Sequence, residues 1–132
     1  MATVSDNGIV SIRSGFGFAD TLQRLLAVFD SHGIKVFATI DQQAEAAAVG
    51  LSMPPATLLI FGNPKAGTPL LVKQPLSALD LPLKVLVTES SPGDVRVSFN
   101  ATAYILQRHG LPSEFSANLA PAERLIENVV NP

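Results

Sequence analysis

The sequence predicts one α+β domain: a mixed sheet of about five strands with helices packed mainly on one face. Three observations predict it. Apolar residues recur at helical spacing in some stretches and with period two in others. These stretches alternate as strand and helix through the first half of the chain. A strand–turn–strand pattern then follows, which pure βαβ winding does not contain. At 132 residues the chain falls within the range of a single domain and is long enough to bury a sizeable core.

Ile9 to Arg13 reads as a short first strand, interrupted by Gly15 and Gly17. From Phe18 the pattern turns helical, with Phe18, Leu22, Leu25, Leu26 and Phe29 on one stripe and His32-Gly33 as the stop. Ile34, Val36, Ala38 and Ile40 alternate with Lys35, Phe37 and Thr39, the period of a strand. Asp41 is a good cap for a short helix, Gln42 to Val49, closed by Gly50; its alanines carry little bulk and permit close approach to a neighbour. Ala56 to Phe61 contains the unbroken run Leu58-Leu59-Ile60-Phe61, which places this strand at the sheet centre with both faces buried. Thr68-Pro69 matches a cap followed by proline at the first helical position.

Leu83 to Thr88 and Val95 to Phe99 flank Ser90-Ser91-Pro92-Gly93 and together read as a β-hairpin. Asn100 is a candidate cap for a helix running to His109-Gly110, and Pro121 is a candidate opening for the last helix, with Ala122, Leu125, Ile126, Val129 and Val130 on one stripe.

The segment Phe61-Gly62-Asn63-Pro64-Lys65-Ala66-Gly67-Thr68-Pro69-Leu70 resembles the family named domain of unknown function 302. Asp80-Leu81-Pro82-Leu83-Lys84-Val85-Leu86-Val87 is similar to that family's next conserved block, and the stretches from Phe18, Gly33 and Tyr104 also fit. The resemblance covers nearly the whole chain. It implies a small α+β fold, found alone and within longer bacterial proteins. It implies no activity and supplies no catalytic residues.

Gly62 to Thr68 is the one loop with chemistry-like composition. Its glycine spacing matches part of a phosphate-binding loop, but Thr68 stands where the lysine is required, so a nucleotide-triphosphate loop is rejected. Two readings remain. In one, Gly62, Asn63, Gly67 and Thr68 supply backbone and hydroxyl donors to a small anion, with Lys65 as countercharge. In the other, the same residues serve a turn and a helix cap. Asp80, between Leu79 and Leu81, must be hydrogen-bonded or have a raised pKa if buried; it reads either as bonded to backbone amides, those of the Gly62–Thr68 loop foremost, or as a general base or ligand contact at that loop, and the expectation is one hydrogen-bonded unit with it.

Other motifs are weaker. Gly15-Phe16-Gly17 has Asp20 in the third place of a dinucleotide fingerprint. His32 and His109 each precede a glycine at a helix end, where they cap carbonyls more readily than they bind metal. Tyr104 reads as core, and no Gly-x-Ser-x-Gly elbow supports a serine hydrolase.

Composition excludes several classes. With no cysteine there are no disulfides, thiolate nucleophiles or sulfur-rich metal sites. The formal net charge is −2, the nine Lys and Arg are scattered with no two adjacent, and there is no Trp; nucleic-acid binding is not expected. No apolar run reaches the length of a membrane span, and the N-terminus has no signal core, so a soluble, cytoplasmic protein is expected. No cofactor and no metal are expected. A 47% apolar chain this short is expected to retain apolar surface and pair as a homodimer. The leading functional expectation is a small-ligand or anion-binding module formed by Gly62, Asn63, Lys65, Gly67, Thr68 and Asp80. The alternatives are a self-association domain without a ligand and an enzyme of unrecognised type.

Overall fold

The structure, a computed structural model, describes residues 2–131. Its strands are β1 (Ala2–Val4), β2 (Ile9–Arg13), β3 (Lys35–Asp41), β4 (Ala56–Gly62), β5 (Leu83–Glu89) and β6 (Val95–Asn100). Its helices are α1 (Phe18–Ser31), α2 (Gln42–Ala48), α3 (Pro64–Lys73), α4 (Thr102–Arg108) and α5 (Ser116–Val130), with 3-10 turns at Pro75–Leu79 and Ser113–Phe115. The strands form one sheet in the order β1-β2-β6-β5-β4-β3, and every neighbouring pair is antiparallel.

The α+β class holds, but the sheet is six-stranded and antiparallel rather than mixed. A parallel crossover packs its helix on a face of the sheet, but α2 buries no residue. The chain instead turns back through residues 42–55 and pairs β4 antiparallel to β3. The longer excursion through α3 leaves and re-enters the sheet at one end, since Phe61 pairs with Leu83.

Beside β3, β4 is the fifth strand in the sheet order and not its centre. Leu59 and Phe61 are buried on one face, while Leu58 and Ile60 are half-buried on the other. Paired residues share a face, and the β3–β4 register slips between Val36 and Ala38. Val36 therefore shares the face of Phe61, while Ala38 and Ile40 join Ile60 and Leu58 on the opposite one. One unbroken stripe from Ile34 to Ile40 does not form.

The main core lies on the helix side. Val10, Ile12, Val85, Val87, Val97 and Phe99 from the strands meet Leu25 and Phe29 of α1 and Ile126 and Val130 of α5. The Phe29 and Phe61 rings stack at 4.3 Å. A second cluster joins Leu70, Leu81, Ile105, Leu106, Leu111 and Leu119. The helix α2 lies beside β4 but buries no residue; Ala46 is half-buried and its other alanines are exposed.

Three helix starts differ from expectation. At α3, Asn63 caps and Pro64 takes the first position, five residues before Thr68-Pro69; Pro69 lies inside the helix. Both dipeptides carry the same signal, and the first met by the chain leaving β4 is used. Likewise α5 begins at Ser116 and contains Pro121. Asn100 ends β6, paired with Ile9, and the first amide of α4 at Thr102 is bonded by the Glu123 carboxylate from α5.

Candidate functional site

At the end of the sheet where β4 stops, the chain must satisfy its own amides before α3 begins. Asn63 does this alone. Its side-chain Oδ1 accepts from Lys65 N at 3.0 Å, and its carbonyl accepts from Ala66 and Gly67 N, both at 2.9 Å. Pro64 has no N–H. The N-terminal amides of α3 are thus occupied, and a backbone cradle for an anion does not form. Neither Gly62 nor Gly67 has a positive φ, so the turn does not require a glycine at either position. A methyl group at Gly67 would meet no atom within 4 Å.

Beside this turn opens a cleft of about 730 Å³. One wall is the segment Phe61 to Thr68 with Leu71 of α3. The opposite wall comes from α5, through Asn118, Leu119, Ala122 and Leu125. Ile34 and Phe37 on the β3 side and Leu81, Pro82 and Leu83 before and in β5 complete it. The cleft lies between the two apolar clusters, since Phe61 belongs to the first and Leu81 and Leu119 to the second. Asn118 Nδ2 donates to the Ala66 carbonyl at 2.8 Å and ties α5 to the first turn of α3.

The only ionisable groups in the lining are His32 and Lys65. His32 Nδ1 lies 2.9 Å from the Val28 carbonyl, which only accepts, so this nitrogen carries the proton and caps α1 as expected. Lys65 is exposed and has no carboxylate within ion-pair distance among the described residues.

Five of the six residues singled out in the sequence, Gly62, Asn63, Lys65, Gly67 and Thr68, lie along this cleft. Asp80 does not, and the expected unit between Asp80 and the loop is corrected. Asp80 Oδ2 accepts from Arg108 Nη1 at 2.8 Å and from His109 Nε2 at 2.6 Å, both at the end of α4. The turn at Pro75–Leu79 carries Asp80 away from α3 and against α4, where the His109 side chain is only 5% exposed. Histidine at this helix end serves as a partner for a carboxylate, and not through its ring as a carbonyl cap. The contribution of α5 and of Phe37 to the cleft was not expected. Phe37 had one visible signal: a bulky aromatic out of phase with the apolar alternation of its strand, where the register slips.

Among the described residues, no helix is long and apolar enough to cross a membrane. Over 111 residues the chain is 40% identical to a protein of Brucella suis biovar 1 (strain 1330) named fluoride-specific ion channel FluC 1, covering 84% of this chain and 44% of that protein. A Brucella melitensis biotype 1 protein named fluoride-specific ion channel FluC 2 is also 40% identical over 111 residues, again 84% of this chain and 41% of that one. The chain thus spans less than half the length of these curated relatives. Its fold matches the crystal structure of an uncharacterised conserved DUF302 protein from Bacillus stearothermophilus, with a TM-score of 0.77 at 17% identity over 93% of this chain and 95% of that one. The family model for the domain of unknown function DUF302 matches residues 10–131, and the chain belongs to that family.

Proposed function

We propose that this domain is a small-molecule-binding module whose site is the cleft between α3 and α5. The observation that carries the reading is the cleft itself: about 730 Å³, walled mainly by apolar side chains, with a few polar residues, Asn63, Lys65, Thr68 and Asn118, in its lining. That volume and lining are those of small-ligand sites in general. Asp80 has no part in it. Its carboxylate is committed to Arg108 and His109 and acts as scaffold.

The test is an amide-resolved NMR titration of the protein with a panel of small apolar and amphipathic compounds. Saturable shifts at Gly62, Ala66, Leu71 and Leu125 are expected, and they should vanish when Leu125→Trp fills the cleft. A panel that leaves these amides unmoved removes the proposal.

A second reading, self-association, has its own support. Val72, Leu76 and Leu79 are 77%, 66% and 68% exposed within eight residues at the end of α3 and the turn that follows. Large apolar side chains gathered this way suit a contact with a second copy. The Brucella relatives named as fluoride channels are more than twice as long as the stretch this chain matches, and among the described residues no helix is long and apolar enough to cross a membrane.

A further inference from the structure

Resting on that reading of the cleft, we infer that its ligand is an amphipathic anion: an apolar body carrying one acidic head, bound with the head at Lys65. Charge distribution supports this choice. The chain holds eleven carboxylates against nine Lys and Arg, yet no carboxylate lines the cleft, and the ionisable groups that do are Lys65 and His32. Lys65 has no ion-pair partner among the described residues. Lys35 is not in the lining, but its Nζ lies 5.0 Å from the ring centroid of Phe37, which is. The cleft is thus lined by one lysine and no carboxylate in a protein of net negative charge.

The walls decide the rest of the ligand. Ile34, Phe37, Phe61, Leu71, Leu119 and Leu125 offer no hydrogen bonds and match an apolar chain or ring. A bare inorganic anion fits less well. It requires several converging donors, but Asn63 already occupies the amides at the start of α3. The head is thus held by side-chain charge and the body by apolar burial.

Decanoate, decan-1-ol and decyltrimethylammonium share one apolar chain and differ in head charge. Each is titrated into the isotopically labelled protein below its critical micelle concentration or, for the alcohol, below its solubility limit, and amide shifts around the cleft are followed. Decanoate is expected to bind about fivefold tighter than decan-1-ol at low salt, the size of a partly exposed ion pair. The cation is expected to bind more weakly than the alcohol. Raising the salt should shrink the preference. Lys65→Ala should bring decanoate close to decan-1-ol while leaving decan-1-ol unchanged. Equal binding of all three, or a preference that survives Lys65→Ala, overturns the anionic assignment and leaves the cleft as a site for neutral ligands. If none of the three moves a cleft amide, both this inference and the binding reading fall.

Discussion

Asp80 shows how one side chain joins distant parts of the chain. Its carboxylate receives bonds from Arg108 and from the buried ring of His109, about thirty residues away in sequence. Truncation would leave the His109 donor buried without its partner, a change that costs about 1–3 kcal/mol. Asp80→Ala should therefore lower stability by that amount in urea denaturation, without weakening ligand binding in the cleft. Gly8 is the second case. Its φ is +80°, and an added Cβ would lie 2.2 Å from Tyr104 Cγ, an atom fixed close to the α4 backbone. Left-handed backbone alone costs an L-residue about 1–2 kcal/mol, so Gly8→Ala should cost more than that by the same denaturation assay. Gly67 is the contrast. It lies in α3 with open space around it, and Gly67→Ala should raise the melting temperature through a gain of up to about 1 kcal/mol. The sequence reading separates none of these three: Gly67 reads there as a possible turn residue and Asp80 as a partner of the Gly62–Thr68 loop, while Gly8 carries no signal of its own. The difference lies in partners supplied by other elements.

At the level of elements, legibility followed how local each signal was. The limits of α1 were readable because its apolar stripe, the Gly33 stop and the capping ring of His32 all lie within the helix or beside it. The hairpin of β5 and β6 was readable for the same reason, its turn being marked by Ser-Ser-Pro-Gly. The start of α3 was misread because two cap–proline signals stand five residues apart. The correct one, Asn63-Pro64, is set by where β4 releases the chain. Asn63→Ala should remove the bond to the Lys65 amide and cost about 1 kcal/mol. Hydrogen exchange should show faster opening of the first turn of α3, including Ala66, while β4 stays protected. The strand β1 was missed because three residues carry too little alternation to register.

For the whole molecule, strand direction was the feature least visible in the sequence. Alternating strands and helices suggest parallel winding, but α2 buries no residue and so does not supply the packed crossover helix that such winding needs, and the chain turns back. That choice puts the connection between β4 and β5 at one end of the sheet and opposes α3 to α5 across the cleft. One wall of the candidate site, that of α5, is therefore contributed by residues about fifty positions beyond the loop that marked it. The exposed Val72, Leu76 and Leu79 belong to the same scale. If they join two copies, light scattering across micromolar concentrations should give twice the monomer mass, and Leu76→Glu should give the monomer. A monomer from the unaltered chain at every concentration removes the self-association reading and leaves the cleft untouched.

Binding of a small molecule in the cleft between α3 and α5 is tested most directly by a crystal structure of the protein purified from cells under mild conditions and then soaked with decanoate. Elongated density is expected between Leu71 and Leu125, with its polar end within ion-pair reach of Lys65 Nζ. A cleft that contains only ordered water after soaking, with decanoate elsewhere or nowhere, would contradict it.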